Sequence, residues 1–232
     1  MKTTGRSLDS LVEEQLKKWN VRKQGKKIEK VRVKPCLALS REPGCGGSEI
    51  ARRLSINLEM DIIGGGIIQK VAESAEMSEI VIKSLDEKEI TKRDDWLTSL
   101  FETRHLWPEK YLFHLTKVIG TIGRHGNALI VGRGAHCILP PEETFRVRII
   151  APLTFRIAHM MAEHKLSRKE AEQYIAKTES DRCAFIRKYF HVDLTDPSLY
   201  DLILNASVFT VDGAVDILQG SFHRWQEAKR KD

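Results

Sequence analysis

The sequence predicts an α/β protein: a largely parallel sheet covered by helices on both faces. Three observations point there. Short apolar runs, among them CLAL, ALIV and LILN, alternate with longer segments of helical period. CLAL and ALIV carry no polar position, as strands buried on both faces do. The first of these runs leads directly into a glycine-rich turn and a helix, SREPGCGGSEIARRL.

A chain of 232 residues is long enough for one sizeable α/β domain with a small inserted subdomain. No run approaches the roughly 18 apolar residues that cross a membrane, so no membrane contact is expected. The opening MKTTGRSLDS lacks the apolar core of a secretory leader. Cys36, Cys45, Cys137 and Cys183 are widely spaced and form no CxxC. A reduced, cytoplasmic protein is expected, rather than a disulfide framework or a zinc site. The formal net charge of +6 is unevenly spread: residues 1–34 hold eleven Lys/Arg against four Asp/Glu, and the remainder 27 against 28. The basic arm 1–34 is therefore the only candidate for nucleic-acid contact. Since Trp19 alone is available there for stacking, a solvated extension is the simpler reading.

Each element can be justified in order. Leu8, Leu11, Val12, Leu16 and Trp19 line one face of a short N-terminal helix, and VRKQGKKIEK is a polar link. VRVKPCLALS is a strand whose hydrogen-bonded centre lies after Pro35. SEIARRLSINLE is the helix after the turn, with Ile50, Leu54 and Leu58 stacked at four-residue spacing. Gly64, Gly65 and Gly66 break the chain before another helix, and from Met77 to about Gly120 the pattern is largely helical and charged. NALIVGRGAHCIL and FRVRIIAP supply the second and third strands. Residues 153–190 read as a long, basic helical segment, within which Ser167 and Glu170 form a capping box that marks a helix start. YDLILNAS is a fourth strand and TVDGAVDILQGSFHRWQEAK a closing helix. The expected boundaries are a basic helix and linker at 1–34, a main domain at 35–222, and a tail at 223–232. The main domain includes a helical insert at about 64–120 and a lid region at about 165–192.

The turn after the first strand sits as a phosphate-binding loop sits, yet lacks its lysine. Against G-x-x-x-x-G-K-[ST], Ser48 takes the hydroxyl position and Gly46 the second glycine. Gly47 then stands at the lysine and Arg41 at the first glycine. Phosphate binding in such loops comes largely from backbone N–H groups and the positive end of the following helix. Gly44, Gly46 and Gly47 permit the close approach this needs. Ser48 retains a hydroxyl for Mg²⁺, Arg41 can supply the missing charge, and Glu49 opens the helix. Cys45 occupies a helix N-terminus, where a thiolate is favoured, though a small filler is the simpler role. A glycine-rich turn with no ligand is the alternative for the whole loop.

Gly132-Arg133-Gly134 closes the ALIV strand, where an open α/β sheet binds ligands. Arg133 is placed to grip an anionic substrate, and a surface turn is the alternative. In KTESDRCAFIRKYF, Lys177, Asp181 and Lys188 share one helical face while Arg182 and Arg187 point elsewhere. Such a cluster can close over phosphates or form a solvated basic helix. Arg93 and Arg104 are further candidates for an acceptor phosphate. His159 and His164 lack HExxH spacing. Asp193, Asp196 and Asp201 suit Mg²⁺ or a ribose, or simply a turn before a strand.

SREPGCGGSEIARRL, NALIVGRGA, FRVRIIAPLTFRI and KTESDRCAFIRKYFHVDLTDPSLYDLILNAS together resemble, in order and spacing, the cytidylate kinase-like family of P-loop proteins, over about residues 36–220. The C-terminal block, KxxxDRxxFIRKYF and DPSLYDLILN, is the most specific part. The resemblance implies a P-loop NTPase-type core with a helical substrate-binding insert and an arginine-rich lid. Members commonly carry SRExGxGG in place of a lysine-bearing loop. By the resemblance, Gly44, Gly46, Gly47 and Ser48 hold ATP phosphates and Mg²⁺. Arg133 with Gly132 corresponds to the acceptor-binding GRD motif, Arg182 and Arg187 are lid arginines, and Asp181 orients them. Two positions depart from the family pattern: Gly134 replaces the aspartate of GRD, and IIGGGII replaces a tyrosine–aspartate segment. Both bear on acceptor choice. The leading expectation is an ATP-dependent phosphotransferase acting on a nucleoside monophosphate, CMP or dCMP first, or on a related small acceptor. A catalytically silent nucleotide-binding module is the alternative, and nucleic-acid binding through the arm ranks last. A homodimer is compatible with the sequence.

Overall fold

The computed structural model describes residues 35–66, 68 and 110–229. The N-terminal helix and basic arm, most of the helical insert, Arg93 and Arg104 lie outside the described residues. The chain divides into two compact units: residues 35–62 with 127–232, and a second that contains 63–126.

In chain order the described elements are strand β1 (Cys36–Arg41), helix α1 (Gly47–Asn57), β2 (Asp61–Gly64), α2 (Lys110–His125), β3 (Ala128–Val131), α3 (Ala135–Ile138), β4 (Thr144–Ile150), α4 (Leu153–His164), α5 (Arg168–Phe190), β5 (Leu202–Asn205) and α6 (Val211–Lys229). The strands form one sheet in the order β2-β3-β1-β4-β5. β1 pairs in parallel with β3 (Leu37 opposite Leu129, Leu39 opposite Val131) and with β4 (Leu39 opposite Val147, Arg41 opposite Ile149). β4 pairs in parallel with β5. The expected parallel α/β sheet is thus observed. From β1 the chain leads toward one edge of the sheet and from β3 toward the other. The carboxyl ends of these neighbours are therefore a topological switch point.

The core explains the strand sequences. Leu37, Leu39, Leu129, Val147 and Ile149 are almost wholly buried, in one cluster with Ile50 and Leu54 of α1 and Leu218 and Phe222 of α6. A smaller cluster of Ile157, Met160, Ala171 and Ile175 joins α4 to α5. β4 is the exception to apolar continuity. Arg146 is satisfied by Asp201, whose carboxylate accepts from its guanidinium at 2.8 and 3.2 Å and from its backbone N–H at 2.7 Å. In the second unit, α2 buries Leu112, Leu115, Val118, Ile119 and Ile122, one helical stripe.

One element was not expected from the sequence, and two helix boundaries agree with it. DIIG forms a fifth, edge strand; with two apolar residues running into glycines it is too short to show a period. The helical segment 153–190 divides at the helix start that Ser167 announces. Lys165 turns left-handed (φ 55°) after α4, and the Ser167–Glu170 capping box starts α5 anew, with Ser167 N–H donating to the Glu170 carboxylate at 2.8 Å. The final helix runs to Lys229 as TVDGAVDILQGSFHRWQEAK predicts, and Trp225 packs on the core beside Phe222, with their rings stacked at 6.1 Å.

His136 of α3 is buried and stacks on the Tyr200 ring at 5.1 Å. Burial first, and then the nearby Arg148 charge, push its pKa from the usual 6.5 to about 4. The unfolded chain therefore binds the extra proton between those values, and stability is lost as pH falls from about 6.5 to about 4. Chemical denaturation across that range should show a slope of about 1 kcal/mol per pH unit, and His136→Asn should flatten it. Ser167→Ala, which removes the cap of α5, should cost about 1 kcal/mol in urea denaturation at neutral pH.

Candidate phosphate-binding site

β1 ends at Arg41 and α1 begins at Gly47, so residues 42–46 form the turn between a central strand and a helix N-terminus. Gly46, left-handed at φ 76°, is the N-cap, and no side chain caps the helix. The first N–H groups of α1 thus have no side-chain acceptor at the cap, the arrangement that suits an anion. Gly44 is required twice over. Its φ is +82°, and a Cβ there would lie 2.7 Å from the Arg156 carbonyl oxygen and 3.0 Å from Met160 Cγ, so α4 packs hard against the loop. His159 of α4 also faces it, with Nε2 3.6 Å from where a Gly46 Cβ would be.

Gly47 has a different reason. A Cβ on it would stand 3.0 Å from Arg41 Cβ, 3.5 Å from Arg41 Cδ and 3.2 Å from Cys45 Sγ. The space at the lysine position is taken by the Arg41 side chain itself. That side chain continues to Gly132, where a Cβ would lie 3.5 Å from Arg41 Nη1, and its Nε donates to Ser48 Oγ at 3.4 Å. Arg41 therefore crosses from the loop to the end of β3 between two glycines. Among the described residues it forms no ion pair. Burial, and next the charge of Arg182, lower its pKa to about 10, so it stays charged at neutral pH.

Arg182 is brought to the same place, its Nη1 donating to the Arg41 carbonyl oxygen at 2.7 Å. Burial leads the lowering of its own pKa, and the Arg133 charge adds to it. Arg133 is half-buried in a turn where Gly132, Arg133 and Gly134 are all left-handed, at φ 80°, 54° and 72°. Gly132 N–H donates to the Leu39 carbonyl at 3.0 Å, tying this turn to β1. A Cβ on Gly134 would strike the Phe190 ring at 2.5 Å, so an aromatic from the end of α5 fills the space where a side chain at 134 would stand.

The remaining candidates are placed differently. Ser48 is exposed at the helix start. Glu49 turns along its own helix to Arg52 (2.7 and 2.8 Å) and Arg53 (2.7 Å), which hold its pKa near 2. Cys45 is buried, its Sγ 3.7 Å from the Ile149 carbonyl, and burial raises its pKa. It fills space and is not a thiolate. Asp181 is exposed and, among the described residues, forms no hydrogen bond or ion pair with Arg182 or Arg187. Arg187 is exposed as well. Asp193 and Asp196 accept from Thr195 and Ser198 backbone N–H groups at 2.9 Å, and Asp201 holds Arg146. All three aspartates therefore serve turns and strand ends.

Sequence reasoning missed what lies beneath the loop. Arg148 and Arg156 are 5% and 7% exposed, and the Glu42 carboxylate lies 3.8 and 3.5 Å from them and accepts from Ala151 N–H at 2.9 Å. Arg148 also donates to Ser40 Oγ and Tyr200 OH at 3.4 Å, and Arg156 to Glu179 of α5 at 3.2 Å. An arginine in mid-strand, as in FRVRII, was the available signal.

A family model described as the cytidylate kinase-like family matches residues 36–208. The chain is 26% identical over 192 residues to a protein named cytidylate kinase from Sulfolobus acidocaldarius, covering 81% of this chain and 94% of that one. It is 23% identical over 184 residues to a cytidylate kinase of Ignicoccus hospitalis, with 79% and 96% covered. A crystal structure of an uncharacterized protein from Eubacterium ventriosum shares the fold, with a TM-score of 0.65 at 18% identity over 82% of this chain and 99% of that one. With the family model spanning well over half of its length, this chain belongs to the cytidylate kinase-like family.

Proposed function

We propose that the chain is an ATP-dependent kinase that moves the γ-phosphoryl group to a nucleoside monophosphate, with CMP or dCMP the first candidates. One observation carries this reading: an uncapped helix N-terminus and the guanidinium groups of Arg41 and Arg182 converge at the carboxyl ends of β1 and β3. ATP phosphates are received by the loop N–H groups and α1. In the transfer, an oxygen of the acceptor phosphate bonds to the γ-phosphorus as its bond to the bridging oxygen breaks, and ADP leaves. An ionised acceptor phosphate needs no base, so positioning and charge neutralisation supply the catalysis. Arg133 holds the acceptor phosphate, and Arg182, with Arg187 on a closed lid, neutralises the moving group. A hydroxyl donor at the helix start fits Mg²⁺ in the manner of P-loop sites, and Ser48 is the residue that would hold it. Bound there, the ion supplies Lewis-acid neutralisation of the phosphate oxygens.

The test is ADP release from ATP and Mg²⁺ with CMP, dCMP, UMP, AMP, GMP or no acceptor. Turnover with one acceptor is expected. Arg133→Ala should raise its KM, and Ser48→Ala should lower kcat/KM roughly tenfold or more, the effect of losing about 1.4 kcal/mol. Silence with every acceptor, with ATP still raising the unfolding temperature, would favour the second reading of a nucleotide-binding module. The Phe190 ring against Gly134 supports that second reading, because it fills the place of the GRD aspartate.

The same contact yields a further expectation. Gly134→Asp should destabilise the protein by about 1–3 kcal/mol, through the left-handed backbone and the clash with Phe190. Adding Phe190→Ala should restore part of that loss in urea denaturation.

A further inference from the structure

The Gly47–Arg41–Gly132 packing goes beyond the family assignment. A side chain at 47 would crowd the Arg41 stem, which a Cβ there would meet at 3.0 Å, and the two glycines come from separate segments, the phosphate loop and the turn after β3. A guanidinium held between them faces the loop on one side and the acceptor turn on the other. Its Nε is occupied by Ser48, the first hydroxyl of α1, while Nη1 reaches Gly132. An exposed arginine on a flexible stem would sample many directions. This one has its stem against Gly47 and its backbone carbonyl tied by Arg182.

We propose that Arg41 is a catalytic residue that replaces the missing lysine, with Gly47 and Gly132 as the gaps that let it lie across the site. Its two ends address the donor phosphates and the incoming acceptor at once, whereas a lysine presents one point charge. The inference rests on the kinase reading for its chemistry, but its anion-binding half can be tested alone.

The variants are Arg41→Gln, which keeps most of the stem between the glycines without the charge, and Arg41→Lys, which restores a charge without the fork. Each is measured by calorimetric binding of inorganic pyrophosphate and of Mg·ATP, by thermal unfolding, and by kcat and KM with the accepted monophosphate. Arg41→Gln should unfold near the wild-type temperature, bind pyrophosphate about tenfold more weakly, and lose about a hundred- to a thousandfold in kcat, the scale of removing one preorganised charge-stabilising donor. Arg41→Lys should recover part of the pyrophosphate affinity and less of kcat. If Arg41→Gln keeps wild-type pyrophosphate affinity and kcat within twofold, Arg41 is a packing residue and the proposal is overturned. If Arg41→Gln fails to fold, Arg41→Lys decides: pyrophosphate affinity and kcat both within twofold of wild type would show that the fork has no role. A wild-type protein that binds pyrophosphate through Arg41 but turns over no acceptor would sink the kinase reading and leave the anion-binding half of the proposal standing. A wild-type protein that binds neither ligand would sink both.

Discussion

Glu42 is the constraint on which the rest of the site depends. One carboxylate, seated where β1 becomes the loop, meets Arg148 of β4, Arg156 of α4 and the Ala151 N–H between those two elements. Two arginines so deeply buried cannot remain charged without compensation, and breaking one partner of a buried ion pair leaves the other exposed to the full desolvation cost. The network therefore fixes how the strand ends sit beneath the loop. Through Glu179 it also reaches α5, the helix that delivers Arg182.

Above that neutral floor the charge balance changes. Arg182 lies close enough to Arg41 to lower its pKa, and Arg133 lowers that of Arg182, in each case after burial. Glu49, the first carboxylate of α1, is turned along its own helix and held by Arg52 and Arg53. The protein thus separates its carboxylates into the floor and the flank and leaves positive charge at the mouth. Such a site stores unfavourable repulsion that a bound polyanion relieves.

Much of the fold was legible because its signals are local. CLAL and ALIV have the composition of buried parallel strands, and the Ser167–Glu170 box announces the start of α5 in four residues. DIIG was illegible because an edge strand of four residues has no room for a period. The site was legible in part. Glycines at 44 and 46 declare a loop by their backbone needs, but a side chain at 47 would crowd Arg41, and one at 134 would meet Phe190 as well as a left-handed backbone. Those reasons are three-dimensional contacts, and no spacing rule contains them. Likewise nothing in the spacing of Arg148 and Arg156 shows that Glu42 lies between them.

The pairing of β1 with β3 has a consequence for how the protein is made. Arg41 and Gly132 meet only when two strands lying on either side of residues 63–126 in the sequence come into register. Such contacts carry a large loop-closure entropy and tend to form late. During synthesis the phosphate loop must wait for ALIVGRG to emerge before its arginine has anything to lie across. A chain arrested before that point would carry an intact SREPGCGGS motif and no site.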